Sequence, residues 1–390
     1  NKSIAKSIAD TAGANTAGGT KNKTSVSGTV LLAAGDISVC AKGRILPASG
    51  NYADYVRSYP DLLYAYNKSI ANTAGGAKNQ TLEQWGKSHY DRLGKAAGRI
   101  LPASGNYGDY VLSYPDLLAA YNASVPGPVL LAAGDISECA QPYSVGTAKI
   151  VKRYPDAVVA TLGDTAYPDG AKKDFECYDK TWGAFKDRTR PAVGNHEYHT
   201  AKAKGYFDYF GSRAGARNKG YYRYSLGAWN IIVLNSNCNK LDGCGKDSQQ
   251  YRWLKKELSE SQTTCTLAYM HHPWRSSGLH GGTPKIQTIG DLLQKSGVDI
   301  VLSGHDHIYE RFAPQRLDGH PDSQSGLRQF VVGTGGREKL YPIEKISKNS
   351  EVRNNKSHGV LKLDLRSTSY RWKFVSVGAG FTDKGKGRCR

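Results

Sequence analysis

From Val129 onward, short apolar runs alternate with polar stretches that have a helical period. Five apolar runs are typical of buried strands: Val129–Ala133, Ala157–Leu162, Trp229–Asn235, Thr266–Met270 and Asp299–Ser303. Tyr251–Leu258 and Lys285–Lys295 have the spacing of amphipathic helices. Three later β-rich runs indicate a second sheet that closes the domain: Gln329–Gly333, Gly359–Leu365 and Tyr370–Val377. The pattern therefore predicts an α/β domain with two sheets over residues 127–390.

The first 126 residues differ, because they consist of near-identical copies. Gly43–Asn67 recurs at Gly98–Asn122, 55 residues later and with three differences. Residues 81–93 combine a capping-box start with an apolar stripe at helical spacing. We expect a small, mostly helical repeat region that serves for self-assembly or surface attachment. Since Asn1 corresponds to Asn67, the chain begins inside a unit, and we expect it to be a processed product or a fragment with further repeats before it.

A second duplication leaves alternatives open. Gly28–Ser38 recurs at Gly127–Ser137, so Asp36 is a copy of Asp135. The later motifs occur once, and we therefore expect Asp36 not to be catalytic. The copy is either a strand completing a sheet, in this subunit or a neighbour, or an error in the assembled sequence. Asn-X-Ser/Thr sequons cluster in the same region and indicate glycosylation or only its Asn-rich composition.

Composition narrows the class of protein. Hydrophobic residues make up 39% of the 390 residues, as in globular proteins, and no apolar run is long enough to span a membrane. Six of the seven cysteines lie from Cys139 onward. Cys238 and Cys244 flank a short polar loop, which favours a small disulfide loop and an oxidising, extracellular location. Cys139–Cys177 and Cys265–Cys389 are one possible pairing of the others, because spacing does not determine connectivity, and Cys40 is left over.

The formal net charge of +19 is large, and residues 1–126 contribute 13 Lys and Arg against 8 Asp and Glu. The remaining residues therefore carry +14. Such a charge concentrates anionic substrates or holds a protein on a polyanionic matrix or cell surface, although it also serves ordinary solubility. The basic residues show no nucleic-acid fold signature, so specific DNA or RNA binding is not expected.

Metal-ligand residues follow the apolar runs. The five segments are Gly134-Asp135, Gly163-Asp164-Thr165-Ala166-Tyr167, Gly194-Asn195-His196-Glu197, Met270-His271-His272-Pro273 and Gly304-His305-Asp306-His307. Four of them directly follow a predicted strand, where α/β proteins build sites, whereas the lead-in to Asn195 is short and loop-like. A lone Asp after a strand is more often a turn cap, and a buried His more often a core residue. The ordered set, however, supplies enough carboxylate, phenol, amide and imidazole donors for two metal ions.

The ordered motifs resemble the calcineurin-like metallophosphoesterases, and within them the purple acid phosphatase branch and its bacterial secreted relatives. Asp135-Ile136-Ser137 lacks the histidine of the general Asp-X-His motif, while Tyr167 stands where that branch has its tyrosine ligand. The resemblance covers residues 128–390 and implies an αββα sandwich. It also implies two metal ions, Fe³⁺ with Zn²⁺, Mn²⁺ or Fe²⁺, and hydrolysis of phosphate esters by in-line attack of a metal-bridging hydroxide.

The resemblance also implies a role for each site residue. Asp135, Tyr167 and His307 would hold the first ion, Asp164 would bridge, and Asn195, His271 and His305 would hold the second ion. His196 would contact phosphate or donate a proton, and His280 is a second proton-donor candidate. His272 stands where that branch often has another residue, and we expect it to lie behind the ligands. A secreted acid-phosphatase-like phosphomonoesterase is the main hypothesis. The alternatives are an extracellular filament or matrix protein with a phosphatase-like domain, and a phosphodiesterase or nucleotide hydrolase.

Overall fold

The computed structural model describes residues 82–91, 107, 110, 111, 114, 116 and 117, and residues 126–390 except 140–142, 262, 317, 318, 338, 344 and 379. The chain separates into two compact units, Asn1–Val125 and Pro126–Arg390. In the first unit, helix α1 (Leu82–His89) lies where the sequence predicts a helix. The duplicated segment Gly28–Ser38, Cys40 and most of the repeats lie outside the described residues. No helix in the described part of the chain is long and apolar enough to cross a membrane.

The second unit contains a six-stranded sheet with the order β15-β14-β13-β1-β3-β5. Its strands are β1 (Val129–Ala133), β3 (Val158–Leu162), β5 (Thr189–Ala192), β13 (Gly359–Leu365), β14 (Ser369–Ser376) and β15 (Lys384–Arg388). The strands β1, β3 and β5 are parallel, because the segments between them cross back over the sheet, and β13 joins β1 in antiparallel pairing. A small parallel pair, β2 (Ser137–Glu138) and β4 (Ala166–Tyr167), lies apart from both large sheets.

The second large sheet has seven strands in the order β12-β10-β11-β9-β8-β7-β6. They are β6 (Tyr222–Leu226), β7 (Trp229–Val233), β8 (Cys265–Tyr269), β9 (Ile300–Ser303), β10 (Tyr309–Phe312), β11 (Arg328–Val332) and β12 (Ser350–Asn354). Its central strands β7, β8, β9 and β11 are parallel and fully buried. Strands buried on both faces have continuous apolar sequences, which is why these runs were visible in the sequence.

Helices pack on the outer sides of the two sheets but leave the outward side chains of β14 and β15 exposed. They are α2 (Tyr143–Lys152), α3 (Lys172–Asp179), α4 (Lys204–Phe210), α5 (Gln249–Glu260) and α6 (Gln287–Lys295). One apolar core joins the two inner faces, with Leu130 and Trp372 from the first sheet and Leu267 from the second. Another core lies between the second sheet and α5 and α6, and it includes Leu254 and Ile289. The predicted two-sheet sandwich with helices on both outsides is confirmed.

The assignment of the late strands to sheets was partly wrong. Only β11 belongs to the second sheet, whereas β13 and β14 continue the first sheet beyond β1. Strand β5 also precedes Asn195, where the sequence indicated a loop. Both differences arise because pairing between strands far apart in sequence depends on the twist and closure of the whole sheet, and no local pattern records it.

Three disulfides connect Cys139 to Cys177, Cys238 to Cys244 and Cys265 to Cys389. The disulfide predictions for these six cysteines are therefore confirmed. The first ties the turn after β2 to α3, and the third ties the C-terminus to the start of β8. Links that span 38 and 124 residues restrict the unfolded chain strongly and stabilise the fold.

Candidate metal centre

The carboxyl ends of β1, β3 and β5 in one sheet, and of β8 and β9 in the other, converge at one edge of the sandwich. Each predicted metal-ligand residue follows one of these strands within a few residues, except Tyr167, which ends the short strand β4. Asp135, Asp164 and His305 have positive φ angles of 60°, 47° and 70°. Such backbone is uncommon outside glycine and concentrates at functional sites, where the surrounding structure holds it in place.

Four donor atoms form a first cluster around the Tyr167 hydroxyl. This oxygen lies 2.9 Å from Asp135 Oδ1, 3.1 Å from Asp164 Oδ2 and 3.3 Å from His307 Nε2. His307 Nε2 is in turn 3.3 Å from Asp135 Oδ1. Ligands bonded to one ion at about 2 Å lie roughly 3 Å from each other, so this spacing fits a shared metal ion.

A second cluster surrounds His271 Nε2. This nitrogen lies 3.2 Å from Asp164 Oδ2, 3.0 Å from Asn195 Oδ1 and 3.2 Å from His305 Nδ1. The same oxygen of Asp164 therefore belongs to both clusters. Two sets of donors that share one carboxylate oxygen are the arrangement that a dinuclear centre requires, and the residues present fit two metal ions.

Backbone carbonyls orient two of the imidazoles. Nδ1 of His271 lies 2.9 Å from the Leu162 carbonyl, and Nδ1 of His307 lies 2.8 Å from the Lys339 carbonyl. A carbonyl only accepts, so each Nδ1 carries a proton and Nε2 is the ring nitrogen turned toward the cluster. Burial and the neighbouring imidazoles lower the pKa of His305 to about 2, which keeps this ring neutral and able to bind a cation.

The electrostatics of the cluster favour bound cations. Burial raises the pKa of the Tyr167 phenol well above its ordinary value, and the carboxylates of Asp135 and Asp164 raise it further. Burial acts on Asp164 in the same direction, but His271 and His196 hold the pKa of this carboxyl well below its usual range. A phenolate at Tyr167 therefore needs a strongly charged metal ion beside it.

Two glycines let the backbone pass directly against ligand side chains of neighbouring strands. A Cβ at Gly194 would lie 2.0 Å from Asp164 Oδ1, and a Cβ at Gly304 would lie 2.6 Å from Asp135 Oδ2. The backbone before each ligand therefore passes directly against a ligand of the neighbouring strand. This contact explains why glycine precedes the ligands Asn195 and His305.

His196 lies at the rim of the first cluster. Its Nδ1 is 2.6 Å from the Pro168 carbonyl, so Nδ1 carries the proton, and its Nε2 is 3.8 Å from Asp164 Oδ2. The ring packs 4.4 Å from the Tyr167 ring. Nε2 therefore lies near the Asp164 oxygen that the two clusters share, and the His196 side chain is 30% exposed.

His280 is exposed and lies beside the second cluster. Its ring stacks on that of His305, with 4.5 Å between the ring centres. It borders an open groove of about 410 Å³ whose lining includes Leu279, Lys345, Ile346 and Lys348. His272 lies behind His305 and contacts Ser236. Its Nδ1 is 2.8 Å from Ser236 Oγ, and its ring packs on that of His305. Burial, together with His271, lowers the pKa of His272 to about 3.

The buried carboxylate of Glu197 ties two ligand loops together. The sequence motifs indicated no role for this residue. It accepts hydrogen bonds from the backbone N–H groups of Asp164 at 3.0 Å, Thr165 at 2.6 Å and Gly194 at 2.7 Å, and from the Thr165 hydroxyl. Burial and the charge of Asp164 raise its pKa, which these hydrogen bonds oppose. Its place directly after Asn195-His196 is the only sequence signal for this positioning role.

Asp306 and Glu310 anchor the loop that carries His280. Asp306 Oδ1 accepts from the backbone N–H of His280 at 2.8 Å, and Glu310 accepts from the backbone N–H and hydroxyl of Ser277. The sequence indicated that Glu310 orients the site, but it gave no sign of Tyr341, whose ring stacks 4.0 Å from that of His307. Tyr341 comes from a segment distant in sequence, so no local motif identifies it.

A sequence profile of calcineurin-like phosphoesterases matches residues 113–309, half of the chain, and the chain belongs to this family. A dinuclear metal centre is typical of the family. The two donor clusters, which share Asp164, offer ligands for such a centre.

The curated proteins similar to this chain include several purple acid phosphatases. Purple acid phosphatase 15 of Arabidopsis thaliana is 25% identical over 338 residues, which cover 76% of this chain and 59% of the relative. Fe(3+)-Zn(2+) purple acid phosphatase 12 of the same plant is 26% identical over 250 residues, 54% of this chain and 52% of the relative. The chain thus spans between half and three fifths of the length of these curated relatives.

Among solved structures, the purple acid phosphatase PPD1 from yellow lupin (Lupinus luteus) seeds superposes with a TM-score of 0.55. The sequences are 19% identical, and the match covers 66% of this chain and 53% of the lupin protein. At this identity the superposition supports the shared fold.

Proposed function

We propose that this protein is a secreted phosphomonoesterase that works with two metal ions. The observation that carries the proposal is the single Asp164 oxygen that belongs to both donor clusters, 3.1 Å from the Tyr167 hydroxyl and 3.2 Å from His271 Nε2. The first cluster, with a phenol and two carboxylates, suits Fe³⁺, and the second, with an amide and two imidazoles, suits Zn²⁺, Mn²⁺ or Fe²⁺. One relative is named as an Fe(3+)-Zn(2+) purple acid phosphatase, which supports the same pair.

When bound, the ions supply Lewis-acid polarisation of the phosphoryl oxygens and an activated water. The protein's own residues hold and orient the reactants. Asp164 and Glu197 keep the β3 and β5 loops in register, and His196 presents Nε2 to the phosphoryl group. His280, on the far side of the second cluster, is placed to donate a proton to the leaving oxygen.

The three disulfides support a location in an oxidising compartment outside the cytosol. The open groove beyond His280 favours a second candidate function, hydrolysis of a phosphodiester or a nucleotide, because a second substituent of the substrate would extend there. Self-assembly through the repeats rests on residues outside the described part of the chain and remains a prediction that electron microscopy of the protein would test.

The test uses the protein loaded with Fe³⁺ and Zn²⁺ and compares 4-nitrophenyl phosphate with bis(4-nitrophenyl) phosphate. We expect kcat/KM to be higher for the monoester than for the diester. For the monoester, kcat/KM of the Asp164→Asn variant should be at least about 100-fold below that of the wild type. Asp247→Asn, an exposed residue away from the site, is the matched control. Full activity of an Asp164→Asn protein that still binds two ions would contradict the proposal, and preference for the diester would replace monoester hydrolysis by the second candidate.

A further inference from the structure

The outer face of β13, β14 and β15 carries six cationic side chains on three adjacent strands. We call it the cationic face, and its members are Lys362, Arg371, Lys373, Lys384, Lys386 and Arg388. Lys362 is half-buried and the other five are exposed. We propose that this face binds a linear acidic polysaccharide.

The register of the strands aligns the cations. Lys362 lies directly opposite Lys373, and Lys373 lies opposite Lys384, so three lysines form a row across the sheet. Arg371 lies opposite Lys386 in a parallel row. Adjacent strands are about 5 Å apart, which brings these ammonium groups close together. Like charges directly opposite one another destabilise a sheet, so folding alone gives no reason for this arrangement.

Few negative charges compensate the cationic face. Asp364, opposite Arg371, is the one carboxylate on these strands that shares the face, and it is already bound by the Gly127 N–H and the Arg366 guanidinium. Among the described residues, Lys373, Lys384, Lys386 and Arg388 form no ion pair. The field of the face is therefore directed at solvent, where it attracts polyanions.

The sequence Lys-Gly-Lys-Gly-Arg of β15 explains how the face is built. The two glycines point inward, where a Cβ at Gly385 would lie 2.2 Å from the Trp372 ring and a Cβ at Gly387 would lie 2.3 Å from the Tyr370 ring. Aromatic rings from β14 thus fill the inner side, and the alternating residues project cations outward. Lysines on an edge strand also prevent strand addition. That role does not account for Lys373, which lies on the interior strand β14, while Lys362 on β13 also lies 5.3 Å from the centre of the Tyr154 ring.

The chemistry of the cationic face favours a polysaccharide. Single-stranded nucleic acids bind where aromatic side chains stack on bases, and the exposed side chains of this face include no aromatic residue. Lysine ammonium groups act as point charges that suit carboxylate or sulfate groups along a flexible chain. The disulfides also favour an extracellular environment, where acidic polysaccharides are the abundant polyanions.

The test measures binding of polygalacturonate to the full chain over a series of NaCl concentrations, with uncharged dextran as the negative probe. We compare Lys373→Gln/Lys384→Gln/Lys386→Gln with a charge-matched control, Lys173→Gln/Lys255→Gln/Lys295→Gln, whose lysines are exposed on α3, α5 and α6. The first variant should bind about tenfold more weakly at roughly 0.1 M salt, and its log–log salt dependence should be shallower by about 2. The control should change less than about twofold.

The Lys→Arg version of the first variant keeps the charges and should bind like the wild type. Loss of like-charge repulsion should leave the melting temperature of the Gln variant unchanged or raised. Equal weakening of both Gln variants would overturn the proposal, because general charge would then explain binding. Tighter binding of a 30-base-pair DNA duplex than of polygalacturonate, with the same dependence on the three lysines, would overturn it in favour of a nucleic-acid surface.

Discussion

The hydroxyl of Tyr167 lies 2.9 Å from Asp135 Oδ1, and both residues are buried. Because burial and two carboxylates raise the pKa of this phenol, only a highly charged ion stabilises its phenolate. We predict that the Fe³⁺-loaded protein absorbs visible light through phenolate charge transfer and that Tyr167→Phe abolishes the band. Absorption spectra combined with elemental analysis test this. A coloured, fully loaded Tyr167→Phe protein would show that another group supplies the transition.

Glu197 is predicted to control metal affinity without binding metal. Replacing it with Gln puts an N–H₂ donor against backbone N–H groups, so at least one hydrogen bond is lost. We expect metal affinity to fall about 10- to 100-fold and the metal-free protein to lose about 1–3 kcal/mol of unfolding free energy. Chelator competition and urea unfolding measure the two effects. Glu176→Gln, exposed on α3, should change neither quantity.

The role of His280 can be separated from simple binding by varying the leaving group. If the ring donates a proton to the leaving oxygen, His280→Asn should slow an alkyl phosphate by about 100-fold or more. It should slow 4-nitrophenyl phosphate far less, because that leaving group needs no proton. Steady-state kinetics on both substrates give kcat for each. Equal losses on the two substrates would assign His280 to positioning or binding instead.

The groove beyond His280 is predicted to select the leaving group. Lys345 and Lys348 are exposed there beside the apolar side chains of Leu279 and Ile346, while Glu344 lies outside the described residues. A phosphate ester of 4-hydroxybenzoate should therefore have a lower KM than phenyl phosphate. The Lys345→Ala/Lys348→Ala variant should raise KM for the 4-hydroxybenzoate ester by about fivefold, which removes that advantage. Its KM for phenyl phosphate should stay unaltered. An unchanged KM ratio would exclude the two lysines from substrate selection.

Asp299 should make stability depend on pH. Burial raises the pKa of its carboxyl to about 6, although the N–H groups of Thr266 and Arg390 favour the ionised form. Because this pKa is higher in the folded state than the unfolded value of about 4, the protonated carboxyl stabilises the fold. This contribution to the unfolding free energy is complete below pH 4 and is lost as the pH rises to 6. The loss is at most about 3 kcal/mol.

Urea unfolding of the wild type and Asp299→Asn at several pH values between 4 and 7 isolates this contribution as the difference between the two proteins. The wild type should lose stability relative to the variant across that range. Asp247→Asn, which changes an exposed carboxylate, should follow the wild type. A difference that stays constant or grows with pH would contradict the raised pKa.

Local patterns predicted much of the fold. Strand β1 and strand β13 have the predicted bounds. The parallel strands β3, β7 and β9 differ by one or two residues at one end, and β8 differs by one residue at each end. Their continuous apolar runs arise from burial on both faces, a property of each segment alone. Strands β6, β10, β12 and β15 were missed because they are short, polar or rich in glycine. Their stability comes from partners elsewhere in the chain, such as the rings of Tyr370 and Trp372 beneath β15.

The sequence by itself determined which residues follow the strand ends and in what order, and that order led to the family and to the seven proposed metal ligands. It also contained the cysteines for three disulfides. Only the tertiary structure decided that β13 and β14 extend the first sheet, that Glu197 holds the Asp164 loop, and that Lys362, Lys373 and Lys384 stand side by side. The physical reason is that register and packing depend on segments tens to hundreds of residues apart, whereas a motif records only its own neighbours.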